Sequence, residues 1–256
     1  MATVRIQVIN PNTSVAMTQS IAAAARAAAS EGSEILAVCP RDGVPSIEGH
    51  FDEAIAAVGV LEQIKAGRDL GVDGHIIACF GDPGLLAARE LARAPVIGIA
   101  EAAMHMATML ATRFSIVTTL PRTLIIAHHL LRQYGFRDHC AALHAIDLPV
   151  LALEDGSGVA QQKVRERCIQ SLKDDGCGAI VLGCGGMASL AQDLTHELGV
   201  PVIDGVSAAV KMVESLVALG LSTGKQGDLA YPEAKTLSGK FQLFSSIRPE
   251  LSGENK

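Results

Sequence analysis

Residues 74–103 (GHIIACFGDPGLLAARELARAPVIGIAEAA) and residues 179–209 (AIVLGCGGMASLAQDLTHELGVPVIDGVSAA) are two versions of one unit. Cys79 aligns with Cys184, 105 residues further on, and Ile76-Ile77 aligns with Val181-Leu182. Gly81 matches Gly186, and Leu85 matches Leu190. After one inserted residue, APVIGI (94–99) matches VPVIDG (200–205). The segments IQVINPN (6–12) and FSIVTTL (114–120) pair in the same way, which sets Asn10 opposite Thr118. So long a period is not that of a solenoid; it predicts two similar halves. Any two strand–turn–helix units look somewhat alike, but the shared Cys, Gly and Pro positions weigh against that simpler explanation.

Within each half, short apolar runs alternate with longer helical patterns. VRIQVI (4–9), SEILAVC (33–39), DGHIIAC (73–79), PVIGI (95–99), FSIVTT (114–119), CAALHAIDLPV (140–150), AIVLGC (179–184) and PVIDG (201–205) read as strands or strand exits. Helical spacing covers 15–29, 51–67, 101–111, 122–134, 158–175 and 207–219, with further helices starting at Pro83 and ending at Leu198. This alternation predicts parallel strands joined by crossover helices, and the continuous apolar runs suit strands covered on both faces. Thr13 or Ser14 is placed to cap the first helix. Asp82-Pro83 has the form of an N-cap followed by a first helical residue. The tail, 221–256, carries turn signals and polar residues and is expected to wrap the surface or fray.

Composition then removes several function classes. The chain of 256 residues is 49% hydrophobic but 3% aromatic, with no Trp, so its core must be aliphatic. Net charge is -6 and no Lys/Arg stripe forms, which argues against nucleic acid and anionic membrane as partners. The start, MATVRIQVINPNTS, lacks the pattern of a signal peptide, and the apolar region 94–114 is broken by Pro95, Glu101, His105 and Arg113. A soluble, cytoplasmic protein is expected. The cysteines, at 39, 79, 140, 168, 177 and 184, include no Cys-x-x-Cys pair, and no His-Glu-x-x-His occurs. Free thiols are expected, with neither disulfides nor a metal site.

A cysteine is most often a small buried hydrophobe, and that reading is kept for Cys39, Cys140, Cys168 and Cys177. Cys79 and Cys184 are different, because both leave the carboxyl end of a strand, where parallel sheets bind ligands. Each precedes a helix start, which is expected to depress a thiol pKa. Gly185-Gly186 lets backbone N–H groups approach a ligand closely. If the halves face each other, one thiolate can take a proton from a stereocentre while the opposite thiol returns one to the other face. N–H donors beyond each cysteine would hold an enolate oxygen.

The chain resembles the aspartate/glutamate/hydantoin racemase superfamily, and within it the hydantoin and allantoin racemases. The resemblance spans about residues 4–240 and rests on INPNTS (9–14), GVPSIEGHFDEA (43–54), IIACFGDPGLLAARE (76–90), PVIGIAEAAMH (95–105), FSIVTTLPRT (114–123), LPVLALED (148–155), IVLGCGGM (180–187) and VPVIDGVSAAVKMVE (200–214). It implies an α/β fold of two pseudo-two-fold-related lobes, each a mainly parallel sheet flanked by helices, with the active site in the cleft between them. The lobes are expected at 1–98 with 207–240 and at 99–206, followed by a tail at 241–256. The resemblance further implies cofactor-independent racemisation by Cys79 and Cys184, with no metal, and family habit implies a homo-oligomer.

The loop VPSIEGH and Phe80 look like the branch acting on cyclic ureides, whose C5–H is acidified by a neighbouring carbonyl. Allantoin, and with it purine catabolism, is the expected substrate context, and 5-substituted hydantoins are the alternative. Gly185 is expected to leave room or polar backbone for the ureido group of allantoin. The expected substrate-binding residues are Asn10, Val44, Ser46, Ile47, Phe80, Gly81, Thr118, Thr119, Gly185 and Gly186. Turn chemistry around Pro11 competes as the explanation of Asn10 and Asn12, and loop turns compete for Val44, Ser46 and Ile47. Glu48 and His50 read as capping or surface groups; His105, His128 and His129 read as structural. Three other classes stay open: a two-lobed binding protein without catalysis, an enzyme using one cysteine as a nucleophile, and a sensor that joins Cys79 to Cys184.

Overall fold

The computed structural model describes residues 3–245 and residue 247. Eight strands alternate with eight α-helices: β1 (Val4–Ile9), α1 (Val15–Ala28), β2 (Ser33–Val38), α2 (His50–Leu70), β3 (Gly74–Ile77), α3 (Leu85–Leu91), β4 (Val96–Gly98), α4 (Ile99–Leu110), β5 (Phe114–Thr118), α5 (Leu124–Gln133), β6 (Cys140–Ala145), α6 (Val159–Asp174), β7 (Ala179–Leu182), α7 (Ala191–Leu198), β8 (Val202–Asp204) and α8 (Gly205–Ala218). They form two parallel four-stranded sheets, ordered β2-β1-β3-β4 and β6-β5-β7-β8. Among the described residues, no helix is long and apolar enough to cross a membrane.

The second sheet repeats the first with every strand number raised by four. Strand register carries the match to single residues. Ile9 lies beside Ile77, and Val117 lies beside Leu182. Asn10 and Thr118, each one residue beyond, are therefore equivalent, as are Cys79 and Cys184 two residues beyond β3 and β7. Gly98 beside Ile77 and Asp204 beside Leu182 account for the one inserted residue.

Central strands are buried on both faces: Ile6, Val8, Ile76, Ile77, Ile116, Val117 and Ile180 are fully enclosed. Burying apolar area is the main drive to this arrangement, at roughly 25 cal/mol per Å². The sheets also exchange helices. α4 follows β4 but packs on β7 and β8, while α8 follows β8 but packs on β3 and β4, and α4 and α8 pack on each other. One aliphatic cluster accordingly runs through both halves, from Ile6 and Ile76 by way of Met104 to Val181 and Val210.

Several boundaries differ from expectation, for local reasons. Of the two expected caps of α1, Ser14 is the one used, accepting from the Met17 N–H. α2 continues to Leu70 and stops where Gly71 turns left-handed at φ 66°. β6 ends at Ala145, and residues 150–154 form a 3-10 turn beyond Asp147, whose φ is 54°. α8 starts at Gly205 because the Asp204 carboxylate accepts from the Ser207 N–H. The described part of the tail wraps the first sheet: Thr223 N–H donates to Arg93 O, and Phe244 and Ile247 pack near Ile9 and Val60. Residues 246 and 248–256, which belong to the expected tail of 241–256, lie outside the described residues.

Candidate active site

Cys79 and Cys184 come from different sheets and line one cavity of about 60 Å³, a space for roughly four waters. Both are free thiols that keep part of their surface open. The backbone N–H two residues further along, of Gly81 for Cys79 and of Gly186 for Cys184, favours each thiolate. Gly81 and Gly186 are the equivalent glycines of the repeat, so the two thiols have matching N–H groups nearby.

The thiols are not acidified as expected. Burial pushes Cys184 up to about 11, against the lowering by the Gly186 N–H, and Glu154 and Glu48 raise it further. Burial drives Cys79 well above the ordinary thiol range; the Gly81 N–H opposes it, while Cys184, Glu53 and Asp82 add to the rise. The anticipated helix amino ends are weak: α3 begins only at Leu85, and a 3-10 turn, Gly185–Leu190, follows Cys184. One N–H per sulfur does not offset the loss of water when no cation stands nearby.

Asp82 corrects a second expectation. It does not cap the helix that follows it. Its backbone is left-handed at φ 45°, and its carboxylate reaches forward to the start of α4. There it accepts from the N–H groups of Ala100 and Glu101, both at 3.0 Å, and from the Tyr134 hydroxyl at 2.8 Å. The N-cap position of α4 is Gly98, and a Cβ on that glycine would lie 2.2 Å from the Asp82 carboxyl carbon. Asp82 thus supplies from a neighbouring loop the cap that Asp204 supplies to α8 directly. Burial raises Asp82 to about 7, against the stabilising hydrogen bonds of Tyr134, Ala100 and Glu101.

Of the other expected residues, Asn10, Ile47, Phe80, Gly81, Thr118, Thr119 and Gly185 line the cavity. Val44, Ser46 and Gly186 stand outside the lining. Val44 is held in the loop instead, its carbonyl accepting from the Thr13 N–H and hydroxyl. The Asn10 amide is occupied by turn chemistry: Nδ2 donates to Asn12 Oδ1, Ser14 O and Thr18 Oγ1, and Oδ1 accepts the Asn12 N–H. The Thr118 hydroxyl likewise donates to Gly183 O at 2.9 Å. Gly185 does not open space. A Cβ there would meet the Ala78 carbonyl oxygen at 2.8 Å, so glycine lets the two strand ends meet closely.

Glu53, Met17, Thr123, Ile126, Ala127 and Val150 also line the cavity, and sequence reasoning missed them. Glu53 stands in α2, one turn from His50, and reads as an ordinary surface acid. Its carboxylate instead packs over Gly81, where a Cβ would lie 2.2 Å from Oε1. His50 Nδ1 is 3.4 Å from Glu53 Oε2, and the His50 ring stacks on His129 at 6.2 Å. Burial raises the Glu53 pKa, opposed by His50 and His129. Glu48, expected to be a cap or surface group, accepts the Val150 N–H at 2.9 Å and so ties the two sides of the cleft.

The Asp/Glu/hydantoin racemase family model matches residues 6–213. Hydantoin racemase from Pseudomonas sp. (strain NS671) is 45% identical, over 94% of this chain and 96% of its own length. Among solved structures, allantoin racemase from Klebsiella pneumoniae is 82% identical with a TM-score of 0.94, covering 97% of this chain and 100% of that one. Allantoin racemase from Pseudomonas fluorescens is 40% identical with a TM-score of 0.88, covering 92% and 100%. With its two matched sheets and paired thiols, the chain belongs to the Asp/Glu/hydantoin racemase family.

Proposed function

We propose that the protein interconverts (R)- and (S)-allantoin by proton abstraction and return at C5 of the hydantoin ring. The observation that carries this reading is the pair Cys79 and Cys184, brought from equivalent strand ends into the lining of one cavity. One cysteine, as thiolate, removes the C5 proton. The C–H electron pair passes into the adjacent carbonyl as an enolate. The opposite thiol then delivers its proton to the other face, and the thiol and thiolate states exchange. The reading takes 1–98 with 207–240 as one lobe and 99–206 as the other, in keeping with α8 packing on β3 and β4.

Burial makes both thiols poorly acidic, so formation of the thiolate has to be supported by N–H groups that the substrate supplies. Allantoin is preferred to 5-alkyl hydantoins as substrate because of the likeness to allantoin racemase from Klebsiella pneumoniae over nearly the whole chain. The test is circular dichroism of enantiopure allantoin with the protein and no added cofactor, beside 5-alkyl hydantoins, repeated in heavy water. The expected result is loss of optical activity with solvent deuterium at C5. Faster turnover of alkyl hydantoins would refute the substrate, and absence of exchange would refute the reaction.

A further inference from the structure

Among the described residues that line the cavity, Glu53 alone carries a charged side chain. Several of its polar neighbours are engaged in hydrogen bonds of their own. The Asn10 amide donates within its own turn, the Asn12 amide donates to Met17 Sδ, and the hydroxyls of Thr118 and Thr123 donate to Gly183 O and Leu120 O. Glu53 is held in place by the opposite arrangement. Its side chain is 19% exposed, Oε2 faces His50, and Oε1 lies over Gly81 without a hydrogen-bond donor. A carboxylate oxygen that lines the cavity near Cys79 can accept a ligand's hydrogen-bond donor, and a neutral ureide carries several N–H groups.

We infer that Glu53 is the specificity-determining residue of this cavity: its carboxylate accepts the N–H groups of a neutral ureide and repels an anion of the same shape. The inference rests on reading the cavity as a cyclic-ureide site. Selection against the wrong ligand by a like charge needs no new contact to the right one. The same contact has a second effect. The Glu53 charge opposes ionisation of Cys79, and N–H donors bound to the carboxylate weaken that opposition. Binding of a ureide thereby eases formation of the thiolate that its own C5–H requires.

Two ligands of matched shape separate charge from fit: hydantoin-5-acetamide, which is neutral, and hydantoin-5-acetate, which is anionic. Direct calorimetric binding to the full-length protein reads their affinities without relying on turnover. The wild-type protein should bind the amide at least about tenfold more tightly. In Glu53→Gln the gap should close to about threefold or less, chiefly by better binding of the acetate. Glu53→Met serves as the second variant if Glu53→Gln does not fold. Equal binding of the two ligands by the wild type, binding of neither, or an undiminished gap in a folded variant would overturn the assignment. Failure of allantoin racemisation with the affinity gap intact would instead count against the proposed reaction and leave Glu53 as the selector.

Discussion

The Asp82 carboxylate occupies the position that a side chain on Gly98 would fill, 16 residues away in sequence, and caps α4 from outside that helix. Its loop also carries Cys79, so one residue joins the thiol-bearing turn, the start of α4 and, through Tyr134, the end of α5. Asp82→Ala should cost about 2–4 kcal/mol in denaturant unfolding, from loss of the cap and orphaning of two buried N–H groups. A loss below about 0.5 kcal/mol would show the cap to be dispensable.

Asp82 also sets a pH dependence. Its pKa is raised in the folded protein to about 7, above the ordinary 3.8. The folded state therefore binds more protons than the unfolded state in this interval. The corresponding stability is fully present below the ordinary value and is lost as pH rises through about 7. Asp82→Asn removes that proton. The melting temperature of the wild type relative to this variant should therefore fall between about pH 4 and pH 7 and level off above that. A constant difference across the window would contradict the shift.

Cys79→Ser and Cys184→Ser should each abolish net racemisation of allantoin, by at least about a thousandfold, since each thiol serves one face. Deuterium exchange without inversion, retained for one enantiomer in each variant, is the expected residue of activity. Normal racemisation by both single variants would end the two-base proposal.

Thiol reactivity gives a test without substrate. With Cys184 raised to about 11, and Cys79 higher still, both are almost wholly protonated at neutral pH. Iodoacetamide labelling, followed by peptide mass mapping, should rise roughly tenfold per pH unit between pH 7 and 9, with Cys184 ahead of Cys79. A plateau near pH 7 would mean that a thiolate already exists in the free protein.

Gly185→Ala places a methyl against the Ala78 carbonyl oxygen at 2.8 Å, in a contact between the two strand ends. The expected cost is about 1–3 kcal/mol of stability by chemical denaturation, as for other overpacked sites. An unchanged midpoint would show that the strand ends move apart freely.

The repeat was readable because its marks are local. Apolar runs fix the strands, and the cysteines, glycines and prolines fix their phase, so even the pairing of Asn10 with Thr118 agrees with the register. Much of the cavity lining is readable in the same way: Cys79, Cys184, Phe80 and Thr119 all belong to strand exits and line the cavity. What sequence could not supply were contacts between elements. Asp82-Pro83 looks like a local helix start because nothing nearby tells that Gly98 leaves α4 uncapped. Glu53 looks like any acid in a helix until α2 is laid over Gly81. The thiol pKa direction is hidden from the sequence for a related reason: a helix start is visible there, whereas the depth of burial that outweighs it is not.

The surroundings of the two thiols are unequal, with Glu53 and Asp82 beside Cys79, and Glu48 and Glu154 beside Cys184. For the proposed racemisation this inequality meets a thermodynamic limit. Mirror-image substrates have the same free energy, so their equilibrium constant is unity and kcat/KM must be identical in the two directions. No placement of carboxylates can favour one direction in that ratio. The imbalance can surface only where it cancels, as a higher kcat matched by a higher KM for one hand, and so as a preference for which enantiomer occupies the protein in a racemic mixture.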